Sequence, residues 1–182
     1  MICLLEGLSR VGKSVLANRL QADLPRFERL HFGPPDIPDA YEFFTQELRE
    51  IEGENVIIDR LHWSNFAYQN LFGGSVLTDF DHWRIDAWVA QQPCVAILLV
   101  DEPHAIYDRL QQEQFATPVR HVLASPRQIG EVQNRFRVAF ERSGIGNKWS
   151  FGLDQLLSME DGAVTETYER LLKLLRGEEV TD

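Results

Sequence analysis

Residues 7 to 14 read Gly7-Leu8-Ser9-Arg10-Val11-Gly12-Lys13-Ser14, which has the form G-x-x-x-x-G-K-[ST]. An apolar run from Met1 to Glu6 precedes it and reads as a short buried strand. Lys13 to Ala22 follows as a helix, with Leu16 and Leu20 one turn apart on one face. Glycine at both ends of such a turn lets the backbone wrap an anion with no Cβ in the way. Amides at the helix start then face that anion together with the positive end of the helix dipole. In a strand–loop–helix unit of this kind, Lys13 reaches the β- and γ-phosphates of a nucleoside triphosphate and the Ser14 hydroxyl holds Mg²⁺. Gly7, Ser9, Arg10, Val11, Gly12, Lys13, Ser14 and the following Val15 are the expected phosphate-binding set.

Outward from this loop the chain alternates strand and helix. A second strand is expected near Phe27 to Phe32, stopped by Gly33-Pro34-Pro35, and a helix from Ala40 to Ile51, with Gly53 placed as its terminator. Val56-Ile57-Ile58 and Val95 to Val100 are short unbroken apolar runs, as in strands covered on both faces. Helices are expected at Trp63 to Phe72, at Phe80 to Gln91, after Pro103, and at Gln128 to Arg142, where Ile129, Val132, Phe136 and Phe140 share one face. A strand at Lys148 to Phe151 and a helix from Thr165 to Arg176 close the order β-α-β-α-β-α-α-β-α-α-β-α. That alternation predicts an α/β fold, an open parallel five-stranded sheet with helices on both faces, in one domain over residues 1–182.

The chain has 182 residues, 44% apolar and 25% charged, enough for one full core. Net charge is −10, which argues against broad binding to nucleic acid or an anionic membrane. Its longest apolar run, Val95 to Val100, is far short of the roughly 20 residues of a membrane helix. No basic segment precedes the apolar N-terminus, so no signal peptide is expected. Cys3 and Cys94 fall in strands as free apolar thiols, as in a reduced, cytoplasmic protein.

Asp59 closes the strand Asn55 to Ile58 and Arg60 follows at once, beyond the carboxyl end of a strand, where open α/β sheets bind ligands. Asp59 is placed to hold Mg²⁺ through its waters and Arg60 to grip a phosphate. A lid is expected at about 113–127, a stretch without periodicity that holds Pro118 and Pro126 and offers Arg120 and Arg127. Trp63 and Phe66 either stack on a base or, at i and i+3 of a helix, pack into the core. Phe43 and Phe44 read as core.

Leu5 to Ser14 resembles the opening of the thymidylate kinase family. Asp59-Arg60-Leu61-His62-Trp63-Ser64-Asn65-Phe66-Ala67-Tyr68-Gln69 resembles that family's second signature, and Leu98 to Pro103 its third segment. The resemblance implies a P-loop NTPase of the nucleoside monophosphate kinase type, with ATP and Mg²⁺ and a small nucleoside or nucleotide acceptor. It implies Lys13, Arg10, Asp59 and Arg60 as catalytic residues, Arg10 matching the form of the family with an arginine inside the loop. It also implies contact of Ser9 with the acceptor sugar, where the family has an acid, and dimers through flanking helices, a surface to which Trp83 and Trp88 would belong.

A nucleoside hydroxyl needs a base to take its proton, and an ionised monophosphate does not. The family's acidic element after the second strand is replaced by Phe32-Gly33-Pro34-Pro35, and Asp36 is the only acid nearby. The expected acceptor is therefore a (deoxy)nucleoside monophosphate, held by Ser9, Asp36, Arg60, Trp63 and Phe66. A deoxynucleoside kinase, a kinase acting on a modified base in DNA, and a non-catalytic ATP-binding switch stay open as alternatives.

Overall fold

Both faces of β1 (Ile2–Gly7) are covered: all six residues are buried, although successive side chains point to opposite sides. The strand lies between β3 (Val56–Asp59) and β4 (Cys94–Leu99), with Ile2 opposite Val56 on one side and Cys94 on the other. β2 (Glu28–His31) pairs outside β3 and β5 (Asn147–Phe151) outside β4. All pairs are parallel, as the alternation of elements predicts, and the order is β2-β3-β1-β4-β5. The structure, a computed structural model, describes residues 1–32, 39–68, 71, 77–112, 123–157 and 163–178.

Seven helices are described: α1 (Lys13–Asp23), α2 (Ala40–Glu50), α3 (His62–Ala67), α4 (Asp79–Ala90), α5 (Pro103–Gln111), α6 (Pro126–Arg142) and α7 (Glu166–Arg176). Leu16, Ala17 and Leu20 bury the inner side of α1, Ile129, Val132 and Phe136 that of α6, and Tyr168, Leu171, Leu172 and Leu175 that of α7. The helix starts are chemically marked. Asp39, Thr78, Ser125 and Thr165 each accept a hydrogen bond from the amide three residues on, so one orphan donor per helix is satisfied.

Two helices depart from their expected bounds. α3 ends at Ala67, not Phe72, and the Tyr68 hydroxyl just beyond it meets the Ser9 amide in the β1–α1 turn. The Ser125 cap and Pro126 start α6 before Gln128, so Arg127 belongs to a helix and not to a lid. Most of the expected lid, residues 113–122 with Arg120, lies outside the described residues, as does Asp36. A 3₁₀ turn at Leu153–Gln155 follows β5, too short to leave a periodic signal. Cys3 and Cys94 are free and buried; burial pushes the Cys94 thiol up to about 12 and raises that of Cys3 too. Among the described residues no helix is long and apolar enough to cross a membrane.

Candidate active site

Residues 7–14 wind from the carboxyl end of β1 into α1 through three left-handed backbone positions: Gly7 (φ 136), Arg10 (φ 69) and Gly12 (φ 93). Steric reasons fix both glycines. A Cβ at Gly7 would collide with the Leu99 carbonyl at the end of β4, and one at Gly12 with the Leu153 side chain of the 3₁₀ turn. Among the described residues nothing accepts from the amides of Val11, Gly12, Lys13 and Ser14, and Leu16 is the first to bond back, to the Gly12 carbonyl at 3.0 Å. Four unclaimed amides at a helix start are donors of the kind that suit an anion.

Lys13 is only 5% exposed, and its ammonium donates to the carbonyls of Gly7 (3.0 Å) and Leu8 (2.5 Å). Burial, reinforced by the Arg60 guanidinium, brings its pKa down to about 7 against the opposing pull of Asp59 and Glu6. Ser14 and Val15 follow on the exposed side of the first turn, Val15 at 55%.

Arg60 grips the loop from the β3 side. Its guanidinium donates to the Ser9 hydroxyl (3.0 Å) and the Gly7 carbonyl (3.5 Å) and lies over the Tyr68 ring at 5.8 Å. The residue sits at φ 76, an uncommon conformation for a side chain of this size and one that marks functional loops. Asp59, 1% exposed, is the end of β3; its Oδ2 accepts from Arg29 at 2.8 Å and lies 3.3 Å from His31 Nδ1, while its buried Oδ1 has no partner among the described residues. The Tyr68 hydroxyl accepts from the Ser9 amide at 3.1 Å.

Several of these groups escaped the sequence reading. Glu6 lies at the end of an apolar strand and looks like its polar terminus, yet it is fully buried. Its carboxylate accepts from the amides of Leu61, Trp63 and Ser64 and from the Ser64 hydroxyl, capping α3 from another strand. Arg29 and His31, on β2, meet Asp59 only because β2 and β3 are neighbours. Arg109 of α5 donates to the Arg10 carbonyl at 2.7 Å and pairs with Asp101, just beyond β4. The Asp59–Arg60 and Asp101–Pro103 segments carried the signal for two of these contacts, but not their partners.

The expected acceptor residues divide. Ser9 and Arg60 meet at the loop. Trp63 is 2% exposed, meets Phe140 of α6 edge-on at 5.8 Å and reaches the wall of a groove it shares with Phe66. Phe66 lines a groove of about 200 Å³ with His62, His82, Trp83 and Arg142, between α3, α4 and α6, with no phosphate-loop residue in its wall. α3 turns Trp63 toward α6 and Phe66 toward α4, so the described contacts do not bring either beside Ser9 and Arg60. Arg127 pairs with Glu131 on its own helix at 3.0 Å, with its side chain 88% exposed.

No family model and no curated protein matches this sequence. Solved structures do match its fold. Over 99% of this chain and all of the other, it is similar to YorR of Bacillus subtilis, crystallised with phosphorylated GDP, at TM-score 0.73 and 20% identity. It is similar to polyphosphate kinase 2 of Arthrobacter aurescens over 97% of this chain and 68% of the other, at TM-score 0.65 and 14% identity. Thymidylate kinase of Candida albicans is matched over 100% of this chain and 95% of the other, at TM-score 0.62 and 14% identity. The chain thus shares its five-stranded parallel fold with these kinases and with YorR.

Proposed function

We propose that this chain is a kinase that moves the γ-phosphoryl group of ATP, with Mg²⁺, onto a (deoxy)nucleoside monophosphate, as thymidylate kinases do. The observation that carries this reading is the ring of unclaimed amides at the start of α1 beside the buried Lys13. Such a ring is costly in an unliganded chain and matches a polyphosphate. On binding, the Lys13 ammonium exchanges the Gly7 and Leu8 carbonyls for phosphate oxygens. Arg10, exposed at the crest, lends positive charge to the group in transit, where electrostatic stabilisation is the main resource.

Mg²⁺ takes hard oxygen donors, and the exposed Ser14 hydroxyl and the unpartnered Asp59 Oδ1 supply that chemistry. When bound, the ion neutralises charge between the β- and γ-phosphates.

A monophosphate acceptor is favoured by the state of the carboxylates. Glu6 is taken up by four donors and Asp101 by Arg109, while Asp59 pairs with Arg29 through Oδ2 and keeps only the buried Oδ1 assigned above to Mg²⁺. Each is poorly placed to receive a proton from a sugar hydroxyl, which an ionised phosphate does not require. Arg60, already holding the Ser9 hydroxyl, is the clamp for that phosphate, with Tyr68 beside it.

The test incubates the protein with ATP, Mg²⁺ and a panel of nucleosides, nucleoside monophosphates and DNA carrying modified bases, and reads ADP and phosphorylated product. Product from a monophosphate that is lost in Lys13→Ala and Arg60→Ala is the expected result. Product from nucleosides or DNA alone would move the acceptor; ATP binding with no transfer would leave a nucleotide-operated switch.

A further inference from the structure

We propose that Asp101 and Arg109 form a positioning latch that aims the amides of the phosphate loop from the side opposite Arg60; the inference rests on the phosphate-loop reading above. Arg109 is a residue of α5, and its guanidinium spans three segments. One Nη donates to the Arg10 carbonyl at 2.7 Å, the other pairs with the Asp101 carboxylate, and Nε donates to the Ala105 carbonyl at 3.0 Å. Asp101 is anchored in turn. Its other oxygen accepts from the Glu102 amide at 2.7 Å, and its own amide donates to the Gln133 side chain on α6 at 3.4 Å. The crest of the loop is therefore tied to the β4–α5 turn, while Arg60 ties its base to β3.

Peptide planarity gives this tie its consequence. The carbonyl of Arg10 and the amide of Val11 belong to one rigid unit and point in opposite directions. A hydrogen bond that draws the carbonyl toward α5 turns the Val11 N–H the other way, toward the space the other unclaimed amides share. Arg10 also holds a left-handed conformation that a non-glycine residue leaves readily unless its neighbours keep it there. The latch thus orders in advance what phosphate binding would otherwise have to order.

Asp101→Asn is the informative variant, since it keeps an oxygen for the Glu102 amide and removes the charge that orients Arg109. Arg109→Lys is the second, because one ammonium cannot span the same acceptors. Affinities for ATP·Mg²⁺ and for tripolyphosphate alone are measured by calorimetry, beside the melting temperature of the unliganded protein. Each variant is expected to weaken both ligands about fivefold, the loss of one charge-assisted hydrogen bond. The double variant should be no weaker than either single one, and melting should stay within about 2 °C of the parent. An Asp101→Asn protein that binds both ligands within about twofold of the parent overturns the latch. So does a loss confined to ATP, which would place Arg109 on the base, or one accompanied by a larger fall in melting temperature. Lys13→Ala is the control: undiminished ATP binding there would defeat the phosphate-loop reading itself, whatever Asp101 does.

Discussion

The Ser64 hydroxyl donates to the Glu6 carboxylate at 2.5 Å, joining the central strand to the first turn of α3 inside the molecule. Three backbone amides, of Leu61, Trp63 and Ser64, converge on the other oxygen of Glu6 at 2.9 to 3.3 Å. A helix whose own N-cap position, Leu61, has no side-chain acceptor borrows one from β1. Arg60 immediately precedes that turn, so the same carboxylate fixes the start of the segment that carries Arg60 to Ser9.

Glu6→Gln exchanges an acceptor-only group for one that must turn an NH₂ toward donors. The expected cost is about 2–3 kcal/mol in unfolding free energy, the upper range for hydrogen bonds to a charged group. Urea unfolding measures it. Ser64→Ala, which removes one donor and leaves the carboxylate three, should cost about 1 kcal/mol.

With the proposed function, Lys13 is expected to make ATP binding pH-dependent. Its pKa of about 7 lies below the usual 10.5 through burial, and phosphate oxygens would raise it again. Binding between pH 7 and 10 is therefore expected to take up as much as one proton. Affinity should fall as pH rises above 7, by up to about tenfold per unit. Calorimetry in buffers of different ionisation enthalpy counts the protons; none taken up at pH 8 would show that the lysine is already charged.

Gly12 faces two separate obstacles to a side chain, its φ of 93 and the Leu153 methyl group behind it. Gly12→Ala should abolish measurable ATP binding and cost about 1–3 kcal/mol of stability. Adding Leu153→Ala opens the space but not the backbone conformation. Part of the lost stability should return in the double variant and ATP binding should not, as paired melting and titration curves would report.

His82 is buried with both ring nitrogens unpartnered among the described residues, and meets Phe66 edge-on at 5.3 Å. Burial, then His62, lowers its pKa to about 3, against Asp81 and Asp86. The folded chain thus keeps it neutral where the unfolded chain charges it. Its contribution is whole above pH 6.5 and is lost as pH falls toward 3, at up to about 1.4 kcal/mol per pH unit. His82→Phe should flatten the stability profile between pH 6 and 4 in urea titrations; an unchanged slope would rule out His82 as its source.

The tight turn of residues 7–14 between β1 and α1 was legible from residues alone because its geometry is local: two glycines at positive φ just before the helix start. The same holds for the helix starts at Asp39, Thr78, Ser125 and Thr165, where the cap and the amide it serves are three residues apart. The parallel sheet followed from unbroken apolar runs, since a strand covered on both faces needs no polar side. Tertiary structure alone decided the partners. Glu6 with Ser64, Tyr68 with Ser9, and Arg109 with Arg10 are 58, 59 and 99 residues apart. Which side of α3 meets the loop was likewise unreadable: Tyr68 faces Ser9, while Trp63 turns to α6 and Phe66 to α4. Short-range steric and hydrogen-bond rules are written in neighbouring residues, whereas these pairings depend on how strands order in the sheet, which no single segment encodes.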